Sequence, residues 1–596
     1  MKKNLIKSTA ITFALISGLM SCSPKKATTY YEQHVTFPEG ATLEQKLDMA
    51  SRLTPSPMQL QWQQLELTAF VHFGVNTFTN REWGDGQEDP NVFNPVNLDT
   101  DQWVSTLKEA GFKMVILTAK HHDGFCLWPT ATTDHSVASS SWRNGKGDVV
   151  ADLAQSCKKY GMKLGLYLSP WDRNHPTYGS GDGYNKVYLE QLTELLTNYG
   201  RVDEVWFDGA NGEGPNGKKQ EYDWDSVLST IRRLQPDAVT AIMGTEVRWV
   251  GNESGLGRET EWSSTILPPS ALAHAKATEE RLGINAQTKD LGSRERIDQV
   301  DEMFWYPSEV DVSIRPGWFY HANENPKSLE QLVDIYFQSV GMNSSLLLNI
   351  PPNRDGLFDE KDVEQIKALG KYIQAFNSNK ISTEEDWVEV VENSATINID
   401  GSKSFDAIML QEDISKGQKV ENFTVEVYSN GSWYQVAEGT TIGYKRILLT
   451  ETPVQSDKLR VNLTGTRGPV THLMFAAYKR PTINTDTKVE NIANLTAGEE
   501  WVIKDMKNST LTIELLTEAD GFWFEPGEAN SITNYELRQS DQVLVEGEFG
   551  NIQNNPITQF ILFPKKTKGQ ITLRLTDNNG ATTTLQKDQI GFYREK

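Results

Sequence analysis

Two acidic positions in this sequence have surroundings that suit nucleophilic or acid–base chemistry. Asp208 ends the run VDEVWFDG, in which an apolar segment leads directly to a carboxylate that glycine follows. The second position lies in TEVRWVGNESGLGRETEW, residues 245–262, where glycines are interspersed among four acids. These acids are Glu246, Glu253, Glu259 and Glu261. Hydrolysis of a glycosidic bond uses two such carboxyl groups, one ionised and one kept protonated. We therefore predict Asp208 as a nucleophile and look for the acid in the second segment.

Glu253 is the acid of this segment that we expect to donate a proton. Glycines on both sides predict a loop, and a loop can bring a carboxyl group over a bound substrate. Burial beside an aromatic side chain such as Trp249 would raise the pKa of Glu253 and keep it protonated.

The other three glutamates remain alternatives with weaker arguments. Glu246 follows a predicted strand closely, so it can face the mouth of a barrel but has little reach toward a leaving group. Glu259 and Glu261 lie between Arg258 and Trp262, where an ion pair or a solvated surface is the ordinary expectation.

Polar and aromatic side chains also recur at or just after the ends of the predicted strands. In chain order they are His72, His121, His122, Tyr167, Trp171, Asp172, Trp206 and Asp208. Histidines and carboxylates there could hold zinc, but adjacent His121 and His122 on a strand point to opposite faces unless a bulge turns both inward. The sequence has no HxH or HExxH spacing. We predict neither a metal site nor another cofactor.

A sugar-binding site explains the same residues better. Histidines and carboxylates bind ring hydroxyls, and indole rings pack against the apolar faces of a sugar. The tryptophans in or beside predicted loops are Trp83, Trp128, Trp171, Trp206, Trp249, Trp262, Trp305 and Trp318, some of which must belong to the core. The formal net charge of −22 argues against nucleic acid as a partner and is compatible with a neutral substrate.

The elements that must position these residues follow a strand–helix repeat between residues 65 and 376. The candidate strands are LTAFVHFG, FKMVILTAKH, MKLGLYLSP, VDEVWFDG, AVTAIMG, VDVSI and SLLLNI. Amphipathic helical stretches separate them, which predicts an α/β fold of the (β/α)8 barrel type. Its active site would lie at the C-terminal ends of the strands. No run marks the sixth strand, and we infer eight strands from barrel closure.

Alternation with a period of two replaces this pattern after the barrel. Residues 387–480 and 487–596 predict two all-β sandwich modules, and Asn430-Gly431 predicts a two-residue hairpin turn in the first. Cys126 and Cys157 are the only cysteines outside the N-terminal region, so no disulfide framework is expected.

The N-terminus has the features of a bacterial export signal. Lysines precede the apolar run ITFALISGLM, and LMSC resembles a lipobox that ends in Cys22. We predict a lipoprotein signal peptide over residues 1–21, lipidation of Cys22, and a tether and lead-in over residues 22–64. Because SPKKATTY after Cys22 carries no acidic cluster, we expect a lipid anchor facing the periplasm, with surface exposure as the alternative.

Five motifs in the barrel region resemble those of the α-L-fucosidases of glycoside hydrolase family 29. They are FVHFGVNTFTNREWGDG, LTAKHHDGFCLWPT, LGLYLSPWD, VWFDGANGEG and LLLNIPPNRDGL. The first β module also looks like a discoidin-type fold. The resemblance implies removal of terminal α-L-fucose with retention, through a covalent fucosyl–aspartate on Asp208. It implies a fucose pocket lined by His72, Glu82, Trp83, His121, His122, Tyr167 and Trp206, with Trp318 as a further wall.

The stretch RWVGNESG is similar to the branch of this family that acts on α-1,3 and α-1,4 linkages, and it implies Glu253 as the acid/base. That branch prefers Lewis-type glycans, so Trp249, Trp171 and Asp172 would shape the acceptor side. Three alternatives stay open. They are a fucosidase of broad specificity that includes α-1,2 linkages, a non-catalytic glycan-binding lipoprotein, and a metal-dependent hydrolase.

Overall fold

The computed structural model describes residues 31–382, 387–483, 492–527, 531–577, 580–582 and 584–595. The predicted signal peptide and Cys22 lie outside these residues. None of the helices described within these ranges is long and apolar enough to cross a membrane.

Eight parallel strands form a sheet that nearly closes into a barrel. In chain order they are Leu67–Val71, Met114–Lys120, Lys163–Leu168, Glu204–Phe207, Val239–Ile242, Arg248–Trp249, Ser308–Ser313 and Ser345–Asn349. Each of the first four pairs with the next along the chain, the first pairs with the eighth, and the seventh pairs with the eighth and the sixth. A single bridge between Ala241 and Val247 links the fifth strand to the start of the sixth. The predicted (β/α)8 fold class is confirmed.

The sixth strand, Arg248–Trp249, has only two residues and lies inside the glycine-rich segment 245–262. Two residues are too few to produce a periodic pattern. Its position is nevertheless informative, because Glu253 follows this strand at the end of the barrel where the parallel strands terminate.

Helices follow the strands and cover the outside of the barrel. The helices of the described residues are Leu43–Ala50, Pro57–Gln63, Val75–Thr79, Thr100–Glu109, Val149–Tyr160, Asp182–Asn198, Trp224–Leu234, Ala275–Leu282, Arg294–Asp298, Leu329–Ser339 and Glu360–Ser378. Asp99, Asp148 and Asp223 accept backbone N–H bonds at the starts of three of them, as N-cap residues do.

The lead-in to the barrel is folded from residue 34 onward. His34–Thr36 pairs antiparallel with Glu302–Trp305, which in turn pairs with Ser264–Thr265. The helices Leu43–Ala50 and Pro57–Gln63 follow, each started by a capping box. This segment is therefore hydrogen-bonded, through strand pairing, to the long connection between the sixth and seventh barrel strands.

The first β module consists of two antiparallel sheets of four strands each. One contains Trp387–Glu389, His472–Tyr478, Ser404–Gln411 and Arg446–Gln455, and the other contains Ser394–Asn398, Lys458–Thr466, Val420–Ser429 and Ser432–Gly439. Phe405, Phe423 and Phe475 are buried in its core. Asn430 and Gly431 have the positive φ that the predicted hairpin turn requires.

The C-terminal module is a seven-stranded antiparallel sheet. Its strands are Ile492–Asn494, Trp501–Lys507, Thr510–Phe524, Asn534–Gln539, Gln542–Glu548, Gln559–Thr576 and Ile590–Glu595. The two longest strands shift register between Leu515 and Gly521, and Phe522 and Phe592 are buried in the core beside them. The connection over residues 549–557, called the 549–557 loop below, lies against the barrel at Gly317 and Glu324.

Candidate active site

Asp208 comes directly after the fourth barrel strand, at the end where active sites of such barrels form. Its Oδ2 accepts a hydrogen bond from the Tyr167 hydroxyl at 3.2 Å and lies 3.8 Å from Nε2 of His122. Its Oδ1 accepts from the backbone N–H of Ala210 at 2.7 Å. The side chain is 27% exposed, so the carboxylate is held in a fixed orientation and still reachable.

His72, His121 and His122 lie together beside Asp208. The rings of His121 and His122 are 4.1 Å apart and those of His72 and His121 are 5.7 Å apart. The second strand ends at Lys120, after a register shift between Thr118 and Lys120. The two adjacent histidines therefore follow the strand, and the alternation that would separate them does not apply.

Burial keeps these histidines neutral. It lowers the pKa of His72 to about 3 and lowers the pKa of His121 and His122 as well. Asn349 donates its amide N–H bonds to Ser313 and Trp318, so its Oδ1 must accept from Nδ1 of His72 at 2.9 Å. This fixes the tautomer and leaves Nε2 of His72 as an acceptor for a substrate hydroxyl.

Glu82 and Trp318 form a wall beside the histidines. The Glu82 carboxylate accepts from the backbone N–H groups of Trp318 and Phe319 and from Nε2 of His321, at 2.7 to 3.2 Å. Neighbouring carboxylates raise the pKa of His321 to about 9 despite its burial, so this is an ion pair. The Trp318 ring lies 4.9 Å from His72, and Glu82 thus fixes the loop that carries this indole.

Glu253 faces the same space from the loop after the sixth strand. Its Oε2 accepts hydrogen bonds from the Trp318 indole N–H at 3.2 Å and from the Asn551 amide at 2.5 Å. Burial raises its pKa, the two N–H donors oppose that rise, and the negative charges of Asp208 and Glu82 add to it. A carboxyl group in this setting is suited to hold a proton near an ionised partner.

The other three glutamates of this segment are engaged elsewhere. Glu246 is buried and accepts from Arg232, from Thr245 and from the backbone and side chain of Thr240. Glu261 is buried between Arg248 and Arg258. The Glu259 side chain is 75% exposed. Glu253 is the one that reaches Trp318.

The β modules hold the segment around Glu253 on both sides. The first module contacts it at Glu261, whose backbone N–H donates to Thr441 at 2.9 Å and whose C=O accepts from Gln418 at 3.0 Å. The C-terminal module contacts it through Asn551, and Ser254 donates to Asn555 at 3.3 Å. Glu253 is therefore positioned by three parts of the molecule.

Trp206 and Trp249 are held from inside the barrel by buried carboxyl groups. The Trp206 indole donates to Glu309 at 2.7 Å and the Trp249 indole donates to Asp311 at 2.8 Å. Desolvation raises the pKa of Glu309 and Asp311 well above the usual range, so both are protonated. These pairs set the floor of the site, where the Trp206 ring stacks on Tyr167 at 5.3 Å.

Trp83 and Trp171 lie at the outer rim of the site. The Trp83 ring meets His122 and Trp171 edge-on, at 5.7 and 5.6 Å. Asp172 differs from the sequence expectation of an acceptor-side group. It is buried, and its carboxylate accepts from Lys120 at 3.2 Å, from Tyr184 at 3.0 Å and from two backbone N–H groups. These contacts assign it to the support beneath Trp171.

Among the residues that the structure describes, no group of three or more His, Cys, Asp and Glu side chains is arranged to hold a metal ion.

A family model for α-L-fucosidases matches residues 56–378, which is more than half of the chain. The chain belongs to the α-L-fucosidase family.

Several proteins resemble this family member over more than the barrel. It is 42% identical to α-L-fucosidase 1 of Arabidopsis thaliana, over 68% of this chain and 84% of the plant protein. A solved structure of a candidate α-L-fucosidase from Bacteroides ovatus is 51% identical, with a TM-score of 0.75, and covers 95% of this chain and 99% of its own. A family 29 fucosidase from Ruminococcus gnavus, solved with fucose, is 31% identical, with a TM-score of 0.62 over 72% of this chain and 95% of its own.

Sequence reasoning missed several residues of the site of this α-L-fucosidase. Asn349 ends the buried strand Ser345–Asn349, and Asp311 interrupts VDVSI, so each gave a signal as a polar residue on a buried strand. His321 lies three residues after Trp318, which was a weaker sequence signal. Asn551 gave none, because its partner Glu253 lies 298 residues earlier in the chain.

Proposed function

We propose that this member of the α-L-fucosidase family is a retaining exo-α-L-fucosidase in which Asp208 is the nucleophile and Glu253 the acid/base. The observation that carries the proposal is the position of Glu253, which shares the space beside Asp208 and Trp318 and has a raised pKa. An ionised carboxylate and a protonated carboxyl group in one site are the pair that retaining glycosidases use.

In the first step an Asp208 oxygen forms a bond to the anomeric carbon of fucose while the bond from that carbon to the glycosidic oxygen breaks. Glu253 gives its proton to the departing oxygen. Because Oε2 of Glu253 accepts from Trp318 and Asn551, Oε1 is the oxygen that carries the proton. The hydrogen bonds from Tyr167 and Ala210 keep the Asp208 carboxylate aligned for attack.

In the second step Glu253, now ionised, takes a proton from water. The water oxygen bonds to the anomeric carbon, the fucosyl–Asp208 ester bond breaks, and fucose leaves with the configuration it had in the glycan. Each step leaves both carboxyl groups ready for the next, and no cofactor enters the scheme.

The neutral histidines suit the three hydroxyls of fucose. Nε2 of His72 can accept from one hydroxyl, and the imidazoles of His121 and His122 can donate or accept at the others. The rings of Trp318, Tyr167 and Trp206 supply apolar surface for the methyl group that fucose carries in place of a hydroxymethyl. Glu82 holds Trp318 in this wall, and Trp83 adds an indole ring beside His122.

We assign the specificity to α-1,3 and α-1,4 linkages in Lewis-type glycans, on the likeness of RWVGNESG to that branch of the family. A fucosidase that also accepts α-1,2 linkages is the competing possibility. A product assay decides between them: fucose release from Lewis a or Lewis x trisaccharides should greatly exceed release from 2'-fucosyllactose, and equal rates would favour the broad enzyme.

Azide distinguishes the two catalytic roles. Asp208→Ala should lose activity on every fucoside, and azide should convert an activated α-fucoside into the β-fucosyl azide. Glu253→Ala should lose about 10²- to 10⁴-fold on Lewis trisaccharides but less on aryl fucosides, because a good leaving group needs little protonation. Azide should then yield the α-fucosyl azide.

Glu259→Ala is the matched control for this experiment, since Glu259 belongs to the same segment and is exposed. It should behave as the unaltered enzyme. Normal hydrolysis of a Lewis trisaccharide by Glu253→Ala would exclude Glu253 as the acid. Glycan binding without any fucose release by the unaltered protein would favour the non-catalytic alternative, and loss of activity with a chelator would favour a metal-dependent hydrolase.

We further propose that the enzyme is a lipoprotein anchored through Cys22 and facing the periplasm. The supporting feature is the lipobox-like LMSC at the end of an apolar run. Cys22→Ala should move the protein from the membrane fraction to the aqueous phase of a detergent partition. A variant that stays in the membrane fraction would refute the anchor.

A further inference from the structure

A large cleft separates the catalytic end of the barrel from the C-terminal module. Its volume is about 1200 Å³. The barrel side includes Trp83, Trp171 and Arg173, and the side of the module includes Glu546, Gln553 and Arg574. Pockets for drug-sized ligands are typically about 300–1,000 Å³, so this cleft has more room than one monosaccharide needs.

Two residues that line the cleft connect it to the two proposed catalytic carboxyl groups. Trp83 lines it and contacts His122, which lies 3.8 Å from Asp208. Asn551 lines it on the opposite side and donates to Glu253. A glycan whose fucose occupies the pocket therefore has its remaining sugars directed toward this space.

We infer that the cleft binds the acceptor part of the substrate beyond the sugar that carries fucose, and that the C-terminal module contributes half of this site. The inference rests on the proposed function, because it takes the bond next to Asp208 and Glu253 as the one that is cleaved. The ligand class is a neutral oligosaccharide of several residues.

The lining of the cleft has the chemistry of a carbohydrate site. Trp83 exposes 43% of its surface. The Arg173 guanidinium lies 5.5 Å from the centre of the Trp171 ring. The barrel side of the cleft therefore offers both indole rings and a cation. Four arginines and five carboxylates line the space. Such a mixed lining can donate to and accept from hydroxyls, and its near balance of charge favours a neutral glycan over a sialylated one.

The test compares substrates that differ only beyond the fucosylated disaccharide. One is the Lewis a trisaccharide, and the other is lacto-N-fucopentaose II, which extends it by lactose. The variants are Arg574→Ala and Gln553→Ala, because both side chains line the cleft from the module and are exposed. Each should lower the ratio of kcat/KM for the pentasaccharide to that for the trisaccharide about threefold to tenfold, as expected for lost hydrogen bonds.

Lys504→Ala is the control, since Lys504 is an exposed cation of the same module that does not line the cleft. An unchanged ratio in both cleft variants would overturn the inference. Binding of lacto-N-tetraose, which carries no fucose, separates this outcome from a failure of the proposed reaction. If the enzyme released no fucose, weaker binding by the cleft variants than by the unaltered protein would still support the site, and equal or absent binding would refute it.

Discussion

Glu253 receives both of its described side-chain hydrogen bonds on one oxygen, and the two donors have different origins. Trp318 belongs to the barrel, and its loop is fixed by Glu82. Asn551 belongs to the 549–557 loop of the C-terminal module and holds a left-handed φ of 49°. Asparagine tolerates that conformation better than most residues, so the loop can present an amide at this point.

The pH profile of Asn551→Ala should show that Asn551 is a positioning residue. Its N–H stabilises the ionised form of Glu253 and so lowers its pKa, and removing it raises that pKa. Activity that needs protonated Glu253 is lost as pH rises through this pKa, so the basic limb of kcat/KM should move to higher pH. We also expect kcat/KM on Lewis trisaccharides to fall about tenfold, part of the about 10²- to 10⁴-fold that general acids supply.

Asn508→Ala controls for the loss of an asparagine in a left-handed turn of the same module, since Asn508 has a φ of 53°. The basic limb of its kcat/KM profile should lie at the same pH as in the unaltered enzyme. If Asn551→Ala lowers kcat/KM without moving the basic limb, the contact supports the fold and does not set the pKa of Glu253.

At the scale of residues, the sequence predicted the side chains that directly follow a recognisable strand. Asp208 directly follows the apolar residues VWF at the end of a predicted strand, so its place at the barrel mouth could be inferred without coordinates. Glu253 needed a loop argument and a family resemblance. Asn551 could not be predicted, because a local sequence pattern contains no information about a contact with a residue 298 positions away.

At the scale of elements, the barrel contains three indole–carboxyl pairs on its inner surface. Trp62 donates to Glu204 at 2.8 Å, in the same manner as Trp206 to Glu309 and Trp249 to Asp311. Carboxyl groups on buried strands are costly when ionised. Their cost is limited here because burial and mutual repulsion keep them protonated, with the pKa of Glu204 raised to about 8.

Glu204→Gln should make the stability of the barrel less sensitive to alkaline pH. The folded protein keeps a proton on Glu204 that the unfolded chain releases, so stability falls as pH rises from about 4.5 to about 8. Glutamine stays neutral and still accepts from Trp62. Between pH 6 and 9 the free energy of unfolding of the unaltered enzyme should drop more than that of the variant, by an amount on the order of 2 kcal/mol.

Urea denaturation at the two pH values measures this difference. Glu438→Gln, a change at an exposed glutamate that accepts from Gln435, is the control and should follow the unaltered enzyme. Parallel losses of stability in Glu204→Gln and the unaltered enzyme would show that Glu204 is ionised in the folded state.

The sixth strand shows where element prediction fails for a physical reason. Seven of the eight barrel strands were visible as β-branched or apolar runs, but Arg248–Trp249 takes its place through two residues and a single neighbouring bridge. Closure of the barrel supplies the missing information, because parallel strands on either side require a partner. Local propensity alone does not contain it.

At the scale of the whole molecule, the C-terminal module docks on the barrel through close backbone contacts. The backbone N–H of Glu82 donates to Glu548 at 3.1 Å, and that of Leu562 donates to the C=O of Asn323 at 3.1 Å. At Gly550 a Cβ atom would lie 2.4 Å from the backbone N of Gly317. The module can approach this closely because glycines face each other there.

Gly550→Val should separate the module from the barrel and withdraw Asn551 from Glu253. We expect kcat/KM on Lewis trisaccharides to fall by about tenfold or more, and by less on aryl fucosides, which need little help from an acid. Circular dichroism and thermal unfolding check that both folds persist. Equal losses on the two substrate classes would indicate general damage, and full activity would show that the interface tolerates the change.

The bond between Asn551 and Glu253 also orders events in time. Its partners lie 298 residues apart, in the barrel and in the C-terminal module, so the bond forms only after both parts have folded. Until then Glu253 has only one of its two described side-chain donors, the Trp318 indole. The proposed acid/base is therefore fully held only when the last module has docked on the barrel.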